Sequence, residues 1–122
     1  MPHITIEVSP ALTGFDAART LERVNHALAA SGQFDDADIK SRVLRLHDVL
    51  VGTEGPAQGF VHATLRLLAG RSQATRAALS ASVLQALIGS LPASTGSLPP
   101  VQVSVDVVEM DRSTYAKQVV AS

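Results

Sequence analysis

The chain contains no cysteine and no tryptophan. Without thiols there can be no disulfides, thiolate nucleophiles or zinc–cysteine sites. Aromatic residues make up only 3% of the 122 residues, too few to furnish stacking platforms for nucleic-acid bases. Neither sign of charge is in excess: ten basic against eleven acidic residues give a formal net charge of -1. No broad basic field for nucleic acid or a membrane surface is therefore expected. No apolar run approaches the ~20 residues of a membrane span, and the polar start does not resemble a secretory leader. Metal-ligand spacings, glycine-rich phosphate loops and nucleophile motifs are missing too. The expectation is a cytoplasmic protein that needs neither metal nor cofactor.

What is present is 46% hydrophobic, enough for one sizeable core built from Val, Leu, Ile and Ala. The length suits a single domain over residues 1–122. From Ile4 to Val8 apolar and polar residues alternate, the period of a half-buried strand. Ser9 to Gly14, with a proline and a glycine, reads as a loop. From about Phe15 to Ser31, Ala18, Leu21, Val24 and Leu28 recur at helical spacing. Thr13 or Asp16 is placed to cap that helix, and Gly32 stands where a left-handed C-cap is expected. Phe34 to Asp38 reads as a turn or short helical stretch. Ile39 to Val51 reads as a long strand of imperfect alternation, and Gly52 to Gly59 as a loop.

The second half repeats the order. Phe60 to Leu68 is a strand, with Val61, Ala63, Leu65 and Leu67 on one face. Ala69-Gly70-Arg71-Ser72 turns into a helix reaching about Ser90, striped by Leu79, Val83, Leu87 and Leu91. Leu91 to Pro100, with three prolines, is a loop. Val101 to Met110 is a strand in which Val101, Val103, Val105 and Val107 alternate with Gln102, Ser104 and Asp106. The predicted fold class is α+β in the order β-α-β-β-α-β, with pseudo-repeats of about 1–58 and 59–110 and a C-terminal arm over 111–122. A parallel pair within each half needs a right-handed helical crossover. Both helices then cover one face of a four-stranded mixed sheet. The other face shows His3, Thr5 and Glu7, then His62, Thr64 and Arg66, then Gln102, Ser104 and Asp106.

One position carries distinctive chemistry. If Met1 is removed, Pro2 becomes the chain terminus and its nitrogen a basic secondary amine. An α-amino group titrates at about 7.7–8.0 in model peptides. Desolvation and neighbouring cations both disfavour the protonated form, so a pocket would leave Pro2 a neutral base near pH 7.

Several stretches together resemble a known family: Met1-Pro2-His3 opening a strand; Val24-Asn25 with Leu28-Ala29-Ala30-Ser31-Gly32 and Phe34; Ser41-Arg42-Val43; Phe60-Val61-His62 with Thr64-Leu65; and Ala69-Gly70-Arg71-Ser72. In this order and spacing they are similar to the tautomerase superfamily, and most closely to 5-carboxymethyl-2-hydroxymuconate isomerase. The resemblance implies a tautomerase-like fold of two β-α-β units and a homotrimer. It also implies an isomerase that moves a proton along a dienol acid to give the conjugated ketone, in homoprotocatechuate breakdown. Pro2 matches the family's proton-shuttling proline, and Arg71 an arginine that binds the anionic substrate. Lys40 departs from the pattern, which has arginine there. It keeps the charge but loses the planar fork that grips a carboxylate through two bonds. Arg42, one pleat along, either compensates or only pairs with a carboxylate.

Such a reaction needs one base and fixed positive charge to hold carboxylates and stabilise a dienolate. Pro2 is the expected acid–base residue, and Lys40, Arg42 and Arg71 are the expected binding cations for a small carboxylate substrate. Plainer readings of the same residues exist: Arg71 as a solvated turn residue, Lys40 and Arg42 as edge protection, His3 and His62 as hydrogen-bonded structure. Two other functions remain open. One is a paralogue with the same proline and another 2-oxo or unsaturated acid, the other a ferredoxin-like module that binds a ligand without catalysis.

Overall fold

In the computed structural model, residues 1–53, 58–97 and 99–121 are described. The alternating start forms β1 (His3–Val8), whose Ile4, Ile6 and Val8 are buried. A helix α1 (Ala17–Ala30) follows, opened by the Asp16 side chain, which accepts from the Arg19 N–H. Of the two predicted caps it is therefore Asp16 that serves. Gly32, at a φ of 74°, ends the helix in the left-handed conformation that glycine tolerates without penalty. A single helical turn at Asp36–Asp38 leads into β2 (Lys40–Arg45). The second unit comprises β3 (Phe60–Leu68), α2 (Gln73–Gly89) and β4 (Gln102–Met110). A second short turn lies at Ala93–Ser97, within the predicted proline-rich loop.

The strand order is β2-β1-β3-β4. The outer pairs β1–β2 and β3–β4 are parallel, and the central pair β1–β3 is antiparallel, with Thr5 opposite Thr64. Val61, Ala63, Leu65 and Leu67 of β3 join the buried residues of β1 and meet Val24 and Leu28 of α1 and Leu79, Val83 and Leu87 of α2. These are the apolar stripes that the periods predicted. Truncating one of the large members to alanine would cost about 2–5 kcal/mol.

Two expectations are corrected. The second strand stops at Arg45 instead of running to Val51. Its only partner, β1, ends at Val8, whose carbonyl takes a last bond from the Leu46 N–H at 2.9 Å. Beyond that point an edge strand has nothing to pair with. On α1, Ala18 is exposed and Thr20 takes the inward position. The Thr20 hydroxyl donates to the Asp16 carbonyl at 2.7 Å, and a satisfied hydroxyl can be buried at little cost. Of the loop expected over Gly52 to Gly59, residues 54–57 lie outside the described residues, as do Leu98 of the later loop and Ser122 of the arm.

Candidate active site

Because β1 and β3 are antiparallel, the start of β1 lies at the end of β3, beside the turn that carries Arg71. Because β1 and β2 are parallel, it also lies at the start of β2. His3 is aligned with Lys40 on one side and Arg66 on the other. The sheet itself thus gathers Pro2, Lys40 and Arg71, which are far apart in sequence, at one of its ends.

Pro2 is fully buried, and its carbonyl accepts from the Lys40 N–H at 3.1 Å. With Met1 in place, the Pro2 nitrogen is an amide without a proton to give or a lone pair to offer. The Met1 amine donates to the Asp38 carbonyl at 3.0 Å, and the Lys40 ammonium donates to the same oxygen at 3.0 Å. Standard bond lengths keep the Pro2 nitrogen within about 4 Å of that amine.

A cavity of about 300 Å³ opens here, lined by Met1, Gln33, Phe34, Asp35, Asp38 and Arg71 among others. A larger hollow of about 660 Å³ lies between the helices, around Arg19, Arg23 and Gln85. The chain terminus and Arg71 are not in its lining, and its size alone gives it no chemistry.

Arg71 is aimed by its turn. Gly70, at a φ of 127°, adopts a backbone that a side chain would strain, and Ser72 caps α2 by accepting from the Thr75 N–H. The Arg71 guanidinium reaches back across the molecule. Its Nε donates to Gln33 Oε1 at 3.2 Å, Nη2 to the Gln33 carbonyl at 3.0 Å and Nη1 to the Leu68 carbonyl at 3.4 Å. The group also stacks on the Phe34 ring, 4.6 Å from its centre. Three of five N–H donors are used. Among the described residues one is left on each terminal nitrogen, a pair that a carboxylate can grip end-on.

The electrostatics disfavour the protonated form of the Met1 amine. Burial is the largest cause lowering the pKa of the leading amine below its ordinary 8.0. Lys40, Lys117 and Arg71 lower it further, while Asp38 opposes them. Lys117, from the C-terminal arm, donates to the Asp38 carboxylate at 2.8 Å. It is a member of the site that sequence reasoning missed. Its partner is 79 residues away and no periodic pattern runs through the arm.

Arg42 is not brought to the cavity. It lies on the open face of the sheet, where its Nη2 meets His3 Nδ1 at 2.9 Å. Neither expected role, compensating for Lys40 or pairing with a carboxylate, describes that contact. Burial and the Arg42 charge hold the His3 pKa below its usual value. His62 Nδ1 meets the Ser104 hydroxyl at 2.7 Å on the same face. Among the described residues no group of three or more potential ligands is placed to hold a metal, and no helix is long and apolar enough to cross a membrane.

A sequence profile of a family described as 5-carboxymethyl-2-hydroxymuconate isomerase matches residues 2–121. No curated protein matches the chain. Among solved structures, it is similar to a 5-carboxymethyl-2-hydroxymuconate isomerase from Deinococcus radiodurans R1, with 24% identity over 96% of this chain and 88% of that one and a TM-score of 0.87. A 5-carboxymethyl-2-hydroxymuconate delta-isomerase aligns at 19% identity over 98% and 88%, with a TM-score of 0.79. A fused 4-OT protein solved as a symmetric trimer aligns at 22% identity over 91% and 87%, with a TM-score of 0.69. At such identities the structural likeness speaks for the fold, and the profile match speaks for the family.

Proposed function

The chain belongs to the 5-carboxymethyl-2-hydroxymuconate isomerase family, and we propose that it moves a proton along a 2-hydroxymuconate-type dienol acid to give the conjugated 2-oxo acid. It is an isomerase of the tautomerase superfamily. Removal of Met1 turns the Pro2 nitrogen into a secondary amine next to the cavity that Met1 lines. That amine takes the proton of the substrate's 2-hydroxyl, leaving a dienolate, and returns a proton to carbon further along the chain. Arg71 holds one carboxylate with its two free N–H groups. The Lys40 ammonium, at most about 6 Å from the Met1 amine in this structure, holds the second negative charge and steadies the dienolate. Metal and nucleotide play no part in this scheme.

The observation that carries the reading is one cavity lined by both the chain terminus and Arg71. The cations proposed to bind the substrate, Lys40 and Arg71, are among the groups that lower the pKa of the Met1 amine and would act on the Pro2 amine in the same direction. A shuttle whose pKa is pulled toward neutrality is what a reversible proton transfer needs. Arg42 has no part in the proposed cavity. We further propose that the chain works as a homotrimer, as the trimeric fold relative suggests, acts in the cytoplasm in catabolism of aromatic compounds, and is organised as one domain with two pseudo-repeats.

The test is spectrophotometric ketonisation of 5-carboxymethyl-2-hydroxymuconate by protein shown by mass spectrometry to lack Met1. Turnover that is lost in Pro2→Ala is expected. Rates for Pro2→Ala and the unaltered chain that both equal the uncatalysed background would overturn the reading in favour of a non-catalytic binding module. A second reading, the same proton chemistry on another unsaturated acid, is favoured by Lys40, whose ammonium cannot grip a carboxylate side-on. Faster turnover of a monocarboxylate enol than of the dicarboxylate would select it.

A further inference from the structure

The cavity presents a contradiction of charge. It should receive an acid, yet Asp35 and Asp38 line it, and the Asp38 carbonyl is the acceptor for the leading amine. A free carboxylate beside that amine would hold its proton and repel an anionic substrate. The fold answers with a residue from the far end of the chain. The arm that follows β4 is fastened first by Arg112, whose Nε donates to the Ala69 carbonyl at 2.5 Å, next to the Arg71 turn. It continues through a turn in which Asp111 accepts from Ser113 and Tyr115. It then sets the Lys117 ammonium on Asp38 Oδ1 at 2.8 Å.

Resting on the function proposed above, we infer that Lys117 is a positioning residue of the active site, which neutralises the Asp38 carboxylate so that the cavity meets its substrate and its own base as a net positive space. Lys117 touches no reacting atom. It acts through Asp38, and the arm exists in part to deliver it.

The charged groups that shift the leading amine are Asp38 from the turn before β2, Lys40 from β2, Arg71 from the β3–α2 turn and Lys117 from the arm; Asp35, which also lines the cavity, is not among them. Asp38 alone favours the protonated amine, and the three cations disfavour it. Asp38 in turn is held well toward its ionised form, chiefly by the Lys117 hydrogen bond and then by the terminal amine. Removing the Lys117 charge therefore acts twice in one direction. It deletes a cation near the base and unmasks an anion beside it. Removing the Asp38 charge acts in the opposite direction. The two substitutions should cancel when combined, which a merely structural brace would not do.

The experiment uses the full chain lacking Met1 and compares the unaltered protein, Lys117→Met, Lys117→Arg, Asp38→Asn and the double variant Lys117→Met/Asp38→Asn. Two readouts are taken. One is the pH dependence of carbamoylation of the leading amine by cyanate, followed by mass spectrometry, since only the neutral amine reacts. The other is kcat and KM against pH with the dienol dicarboxylate. Lys117→Met should move the amine titration to higher pH and lower its reactivity near pH 6.5 about three- to tenfold, with no change well above pH 9. KM should rise more than kcat falls. Lys117→Arg should keep the unaltered profile, and the double variant should return most of the way to it. An unmoved titration in Lys117→Met, or a shift that Asp38→Asn fails to reverse, would overturn the inference. Should the unaltered protein turn over no dienol acid while the titrations move as described, the proposed function fails and the charge pairing stands.

Discussion

The two ends of the sheet are built alike and furnished differently. At one end the first residue of β2 reaches back to the start of β1: the Lys40 N–H donates to the Pro2 carbonyl at 3.1 Å. At the other end the first residue of β4 does the same to the start of β3: the Gln102 N–H donates to the Gly59 carbonyl at 3.2 Å. The backbone device is one and the same, yet the side chains around it diverge. Pro2 follows a chain terminus, whereas Gly59 is an interior amide. Lys40 corresponds to the neutral Gln102. Where Arg71 reaches over the cavity at the first end, Leu12 packs at the second, so close that a Cβ on Gly59 would meet it at 3.2 Å. Hollows of similar size, about 300 and 290 Å³, lie at the two ends; the first is lined by the chain terminus and Arg71, the second by Leu12 and Arg45. The fold supplies two equivalent positions, and chemistry is proposed for the one where a free amine, a guanidinium and an ammonium meet.

That contrast can be broken experimentally. The largest effect is expected from the amine itself. Pro2→Ala should lower kcat/KM by about 10²–10⁴-fold, the usual worth of a positioned acid–base group. Thermal unfolding run alongside checks that the fold survives.

Next is Arg71→Ala, which removes the end-on grip on a carboxylate and should cost about 10–100-fold in kcat/KM, mainly through KM. The loss should be smaller for a monocarboxylate enol, whose charge Lys40 can still meet.

Third comes the pH profile. Burial and the charges of Lys40, Lys117 and Arg71 lower the pKa of the Met1 amine; facing the same cations once Met1 is removed, the Pro2 amine should be shifted in the same direction, giving kcat/KM an acid limb along which activity falls as the base is protonated. Lys40→Met removes one cause of that lowering, so its acid limb should move to higher pH. A limb that stays put would show that Lys40 does not tune the base.

The smallest effect sharpens the comparison from the other side. Gln102→Lys gives the second end the charge of the site end. It should leave turnover unchanged and stability within about 0.5 kcal/mol, as expected of an exposed surface change.

Much of this organisation was legible in the amino-acid sequence because it follows from periods. The alternation in β1, β3 and β4 and the stripe Leu79–Val83–Leu87 each announce a buried face. Antiparallel pairing of the two units then brings Pro2 beside Arg71. What was not legible depends on partners, which no local period encodes. The apolar run after Arg45 looks like strand, but a strand lasts only as long as its neighbour. Thr20 reads as polar, and its burial depends on a hydroxyl bonded to its own helix. Arg42 shares a face with Lys40, yet the nearest acceptor in space, His3, decides where its guanidinium goes. The Lys117–Asp38 pair bridges 79 residues through an arm without repeat or alternation.

The single turn at Asp36–Asp38 gives the protein an unusual relation to its own two ends. Its last residue takes the leading amine on the main chain and the trailing lysine on the side chain. An affinity tag or fusion partner added in front would therefore bury the base under extra chain, and one that displaced the arm behind would strip the same aspartate of its counter-ion. Expression and labelling strategies for this fold need handles at neither extremity, and the solvent-facing side of α1, around Glu22 and His26, is the safer place to attach them.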